Sequence, residues 1–146
     1  MLSVIVTRGA PSGLTGLLAG LTAAAVEGLV RDVQLVGGDD PGLLDALCEA
    51  TGARIAPDLP AAVAHARSDW LLVVPPELRL GDGWVERLAD HLAKGGGEAR
   101  LQGPGAGILR PGPRGVLIGR AKAERAAAGG LRRLARELGR GVRRLG

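Results

Sequence analysis

Residues 69–80 read Asp69-Trp70-Leu71-Leu72-Val73-Val74-Pro75-Pro76-Glu77-Leu78-Arg79-Leu80. From Trp70 to Val74 no polar side chain interrupts the run, and such a run marks a strand covered on both faces. A strand over 69–75 is therefore expected, stopped by Pro75-Pro76 because proline has no N–H to give a ladder. Glu77 follows at the strand's carboxyl end. Gly81-Asp82-Gly83-Trp84 then opens an amphipathic helix over 82–94, with Asp82 as its N-cap and Val85, Leu88, Ala89 and Leu92 on one face.

Toward the N-terminus the same alternation repeats. Residues 2–7 (LSVIVT) are a short β-branched strand, followed by a helix over 13–25 that Ser12 would cap. A second strand, 30–36, stops at Gly37-Gly38-Asp39-Asp40-Pro41. A helix over 42–51 ends at Gly52, a short strand covers 53–56, and a helix over 59–67 carries Pro60 in its first turn. Beyond the decisive stretch, 95–97 is a glycine break, and 106–110 with 115–119 reads as a hairpin around Pro111-Gly112-Pro113. From about residue 120 the chain is helical, interrupted by Gly129-Gly130. Strands alternating with helices imply an α/β fold of three layers around a mainly parallel sheet. The expected division is a domain over 1–119 and a basic amphipathic helical tail over 120–146.

The chain has 146 residues, with no Phe and no Tyr, so Leu, Val, Ile and Ala must fill the core beside Trp70 and Trp84. The net charge of +4 is unevenly spread. Arginines crowd the segment after Arg110, and the part before it is net acidic. Cys48 is the single cysteine, which excludes an intrachain disulfide. No apolar run approaches the ~20 residues that span a bilayer, and the N-terminus lacks the pattern of a signal peptide. The expectation is a cytoplasmic protein.

Most chemical motifs are absent. The loop Arg8 to Thr15 is glycine-rich, but Leu14 stands where a phosphate-binding loop needs Lys, and the Rossmann glycine spacing is missing. Thr7-Arg8 replaces the acidic pair of a response-regulator receiver. Asp39 and Asp40 end the second strand, where an open parallel sheet binds ligands; they can hold a nucleotide, or one of them can cap the next helix. Glu77 at the adjacent edge can reach a hard cation, although a single carboxylate is a weak site. His65 and His91 have no ligand at metal spacing and are expected on the surface. Cys48 is expected to be a buried, inert thiol. In the tail, Leu131, Leu134, Leu138, Val142 and Leu145 recur at helical steps. Arg132, Arg133, Arg136, Arg140, Arg143 and Arg144 fill most other places. Such a helix either lies on an anionic membrane surface or packs on the domain. Nucleic acid is not expected, since aromatics for base stacking are lacking.

The order of these pieces resembles glycosyltransferase family 2, which has the GT-A fold. The matching segments are Ser3-Val4-Ile5-Val6-Thr7, Val33 through Asp40, Gly52-Ala53-Arg54-Ile55, and Ser68 through Leu80 with Gly83-Trp84. A last segment, Gly115-Val116-Leu117-Ile118-Gly119-Arg120 with Gly129-Gly130, also fits. The resemblance covers about residues 2–130 and implies a nucleotide-sugar donor and a divalent metal, Mn or Mg, on an Asp-x-Asp motif. That motif falls here on Pro75, Pro76 and Glu77, so one carboxylate remains. The family's nucleotide-contacting Asp aligns with Gly37, the acidic residue after the first strand aligns with Pro11, and the catalytic carboxylate has no match.

Two functions follow. One is nucleotide-sugar-dependent glycosyl transfer, with Glu77 on the metal and Asp39 and Asp40 on the nucleotide. The other is a non-catalytic GT-A-like binding or scaffold domain, a pseudoenzyme held at the inner face of the membrane, or at a partner, by the basic tail. Donor, acceptor and oligomeric state stay open.

Overall fold

A computed structural model describes residues 2–9, 13–37, 41–102, 114–138 and 143–145. The elements are β1 (Leu2–Val6), α1 (Leu14–Val26), β2 (Val30–Val36), α2 (Pro41–Thr51), β3 (Arg54–Ala56), α3 (Leu59–His65), β4 (Trp70–Val74) and α4 (Trp84–Ala93). They continue with β5 (Ala99–Gln102), β6 (Arg114–Gly119), α5 (Arg120–Ala126), a 3-10 turn at Ala127–Gly129, α6 (Gly130–Glu137) and β7 (Arg143–Leu145).

The described residues form one seven-stranded sheet in the order β3-β2-β1-β4-β6-β5-β7. β1 pairs in parallel with both β2 and β4, and β2 pairs in parallel with β3. β6 runs antiparallel to both its neighbours, β4 and β5. β7 pairs in parallel with β5 at the far edge. The expected hairpin is thereby corrected. The strand beside β6 on that side is Ala99–Gln102, and 106–110 lies outside the described residues. Local turn signals suggested a neighbour close in sequence, whereas the sheet seats β6 between two strands from earlier in the chain.

Strand periodicity sorts the core into two layers. Leu2, Val4 and Val6 of β1, Leu72 and Val74 of β4 and Leu117 of β6 face α1, α2 and α4. Ile5, Leu71, Val73, Val116 and Ile118 face α3, α5 and α6 on the other side. Leu71 through Val74 are all fully buried, so the double coverage read from the sequence is present. Without Phe or Tyr, both layers are packed by Leu, Val, Ile and Ala; each fully buried Leu contributes about 1.5–3 kcal/mol.

Polar side chains tie the layers together. The Ser3 hydroxyl, fully buried, donates to the Asp32 carboxylate and accepts from the backbone N–H of Arg67 and Ser68 at 3.2 and 3.1 Å. Gln34 reaches from β2 to the Ala62 carbonyl of α3 at 3.0 Å. Arg120 is the largest clamp. Its guanidinium donates to the carbonyls of Ala64 and Ala66 at the end of α3 and to Glu124. A cation there also opposes the negative end of the α3 dipole.

Two helix starts differ from expectation. Gly13 and Gly83, both at positive φ, occupy the N-cap positions of α1 and α4 without a side-chain cap. Asp82 instead presents its carbonyl to Arg87 at 2.8 Å, and Ser12 lies outside the described residues. α3 is capped by Asp58, which accepts from the Ala61 N–H at 2.8 Å.

The tail differs most. The helix expected through 131–145 ends at Glu137, and 143–145 is a strand on the sheet edge. Leu134 and Leu138 are buried in the core layer beneath α6, and Leu145 joins the opposite layer. Glycines at 139 and 141 remove the helix propensity that continuation would need.

Replacing Arg120 by Ala is expected to cost about 1–3 kcal/mol, since two helix-end carbonyls lose a charged donor. Arg120→Lys should restore only part of this, because an ammonium cannot fork across both carbonyls. Urea unfolding, read at unchanged m, checks both.

Candidate functional site

The parallel strands β1, β2, β3 and β4 end on one edge, where open α/β sheets bind ligands. Adjacent strands lie about 4.8 Å apart. The ends of β2 and β4, which flank β1, are therefore roughly 10 Å from each other at the backbone. The edge is tightly knitted. The Thr7 N–H donates to the Val74 carbonyl at 2.9 Å, and the Gly37 N–H donates to the Ala56 carbonyl at 2.8 Å. The Arg8 guanidinium crosses from the end of β1 and donates through Nε to the Gly37 carbonyl.

Pro75-Pro76-Glu77-Leu78 closes as a turn, with the Leu78 N–H on the Pro75 carbonyl at 3.2 Å. Leu78 and Pro76 are buried, while Glu77 is exposed. Gly9 packs directly on this turn. A Cβ there would fall 2.6 Å from both Glu77 Oε1 and Pro76 Cγ. Only glycine lets the β1 loop approach so closely.

Glu77 thus stands at the strand edge, as expected. Asp39 and Asp40 lie outside the described residues, so their distance to Glu77 is not defined; Gly37, just ahead of them, is held at the same edge by Arg8. The described residues at this edge do not gather ligands for a divalent cation. Pro75 and Pro76 offer no side-chain donor. Among the described residues, no three His, Cys, Asp or Glu side chains gather in a way that could hold a metal. What stands beside Glu77 is positive.

A cavity of about 820 Å³ opens next to the turn, lined by Pro75, Glu77, Arg100, Arg114, Arg132 and Arg136, with Gly115, Val116, Leu131 and Ala135 completing its wall. Three elements build it. Register places Arg100 opposite Val116 and Arg114 opposite Gln102, so both arginines share the Val116 face of the sheet. α6 covers that face. Its Arg132 and Arg136, four residues apart, project from one side of the helix. The Arg100 Nη2 donates to the Ala135 carbonyl at 3.1 Å, while its buried Nε has no partner among the described residues. Guanidinium groups stay charged at any ordinary pH. Glu77 is the one acidic residue in a wall holding four arginines.

This convergence is invisible in the sequence, because its members come from positions 100, 114, 132 and 136. Only the four-residue spacing of Arg132 and Arg136 was visible. The tail arginines are divided between α6 and β7. Arg132 and Arg136 line the cavity, and Arg133 pairs with Glu137 at 3.1 Å. Arg143 and Arg144 lie on β7, with Arg144 exposed, and Arg140 is outside the described residues.

His65 is exposed, as expected, but His91 is buried. Its Nε2 lies 2.8 Å from the Gly97 carbonyl, and the ring packs on Gly96, whose added Cβ would sit 2.4 Å away. His91 therefore locks the glycine break after α4, a role hidden in sequence because the break itself seemed to be mere loop. Cys48 is partly buried where a buried thiol was expected; that burial, with Asp45 adding, pushes its thiol pKa up and lowers its thiolate fraction.

No protein-family model matches the chain, and no curated protein matches it. Solved structures do. Glucosyl-3-phosphoglycerate synthase from Mycobacterium tuberculosis in complex with phosphoglyceric acid superposes with a TM-score of 0.59 at 16% identity, covering 99% of this chain and 69% of that one. The same enzyme in complex with Mn2+, uridine diphosphate and phosphoglyceric acid gives 0.56 at 16% identity, over 84% of this chain and 56% of that one. A nucleotidyl transferase from Methanothermobacter thermautotroptrophicus gives 0.54 at 16% identity, over 97% and 78%. The chain thus spans little more than half the length of the synthase bound to Mn2+ and uridine diphosphate. At such low identity the likeness concerns architecture, and it spans two kinds of transfer reaction. On this evidence of strand order and superposition, the chain has a GT-A-like nucleotide-diphospho-sugar transferase fold.

Proposed function

We propose that the protein binds a nucleotide-diphospho-sugar at the carboxyl edge of β1, β2 and β4, in the manner of a family 2 glycosyltransferase. The observation that carries this reading is the close approach of the β1 loop at Gly9 to the Pro75–Leu78 turn at that edge, with Glu77 bordering the neighbouring cavity, in a fold shared with a synthase solved with uridine diphosphate. In this reading Asp39 and Asp40 contact the nucleotide. Glu77 borders the diphosphate, and glycosyl transfer to a polysaccharide or lipid acceptor is the reaction if the chain is active. A cytoplasmic location belongs to the same reading and accords with a single cysteine whose thiol pKa is raised.

Departure of the diphosphate builds negative charge that a metal or a fixed positive group must stabilise. Pro75 and Pro76 take the places where the family carries metal ligands. This favours the second reading, a non-catalytic domain that keeps the nucleotide crevice without the transfer chemistry. The two differ in their use of metal. Differential scanning with a panel of nucleotides should show UDP raising Tm, with manganese adding nothing. A further rise of several degrees on adding manganese, lost in Glu77→Ala, would establish metal-dependent chemistry and overturn the non-catalytic reading. No shift with any nucleotide would remove the nucleotide proposal itself.

Membrane attachment through the tail is the weaker reading, because the leucines Leu134 and Leu138 that would enter a membrane are buried in the core and residues 143–145 are a strand of the sheet. Pelleting with anionic liposomes at physiological salt should leave the protein in the supernatant. Co-pelleting abolished by deleting residues 131–146 would reinstate the membrane.

A further inference from the structure

The arginine-walled cavity has a fixed charge that the fold alone does not explain. Arg100 and Arg114 come from neighbouring strands, and Arg132 and Arg136 come from the helix laid over them. Four guanidinium groups around one space repel each other, most where Arg100 is partly buried. Among the described residues of the wall, Glu77 is the acidic one that opposes them. Arg133 and Arg120, outside the cavity, each have a carboxylate beside them. Within the wall, Arg100 makes a hydrogen bond to a carbonyl and keeps a buried Nε without an acceptor among the described residues. Such a donor is costly to bury unless something accepts from it.

We infer that this cavity binds a phosphoryl-bearing small molecule through its arginines, with no divalent cation. Its volume of about 820 Å³ lies within the roughly 300–1,000 Å³ of small-molecule sites. A phosphoryl group presents several anionic oxygens that guanidinium forks meet in paired hydrogen bonds; a single carboxylate engages one fork. The charge that a metal would supply beside Glu77 is supplied instead by Arg100, Arg114, Arg132 and Arg136. This deepens the nucleotide reading by naming what grips the diphosphate. It rests on that reading for the nucleotide and not for the anion.

Calorimetry in excess EDTA, with inorganic pyrophosphate and with UDP as separate probes, tests it. Pyrophosphate should bind, and Arg132→Gln combined with Arg136→Gln should weaken it by about tenfold or more, the scale of losing charged hydrogen bonds. Both side chains are exposed. The ligand-free Tm of this double variant should stay level or rise, because repulsion is relieved; a fall would assign the pair a merely structural part and count against the inference. Arg31→Gln with Arg125→Gln, both exposed and outside the cavity wall, should leave affinity nearly unchanged. Absence of pyrophosphate binding, or equal weakening by the control pair, overturns the inference. If pyrophosphate binds in the expected way and UDP does not, the anion site stands and the nucleotide reading falls. If UDP binds only with manganese and is indifferent to Arg132 and Arg136, the nucleotide reading stands and this one falls.

Discussion

Everything in the molecule hangs on β4. It is sealed between two helical layers, pairs in parallel with β1, and pairs antiparallel with β6. One face of its short run contributes Leu72 and Val74 to the layer under α1 and α4. The other contributes Leu71 and Val73 to the layer under α3, α5 and α6. The strand therefore joins the parallel half of the sheet to the half that carries the tail. Its end must turn where three segments meet: the β1 loop at Gly9, the start of β6, and α6. The Pro75-Pro76-Glu77 turn is placed by that seal.

From this constraint the site follows. Had the tail been a free helix, Arg132 and Arg136 would be solvated and distant from the strand edge. Leu134 and Leu138, packed into the core, instead press α6 onto the sheet. The helix then carries its two arginines toward Arg100 and Arg114. Burial of leucines, at about 1.5–3 kcal/mol each, provides the free energy that gathers like charges. Glu77 stays at the border between this positive cavity and the edge where Arg8 spans to Gly37. Glu77 thereby shares its cavity wall with four arginines, and the chemistry it can support changes with its neighbours.

The sequence made the parallel half of the fold legible because its signals are local. The apolar run Trp70–Val74 and the strand at Val30–Val36 fall where the patterning put them. The order of pieces also led to the GT-A-like architecture. What depends on distant contacts was not legible. β6 between β4 and β5 could not be read from turn residues, nor β7 from a glycine-broken arginine run. Gly13 and Gly83 start helices through their own backbone freedom, where side-chain caps were expected. His91 appeared as a surface residue because its partner, the Gly95–Gly97 break, has no side chains to announce a contact. The arginine cavity was hidden for the same reason: each arginine alone looks like ordinary solvated charge.

If fixed arginine charge stands in for a metal at the end of β4, a crystal structure of the protein with UDP, grown in EDTA, will show it. The diphosphate is then expected between β6 and α6, within hydrogen-bond distance of Arg114 and Arg132. A diphosphate tethered to Glu77 only when manganese is supplied, with the arginines turned to solvent, would contradict it.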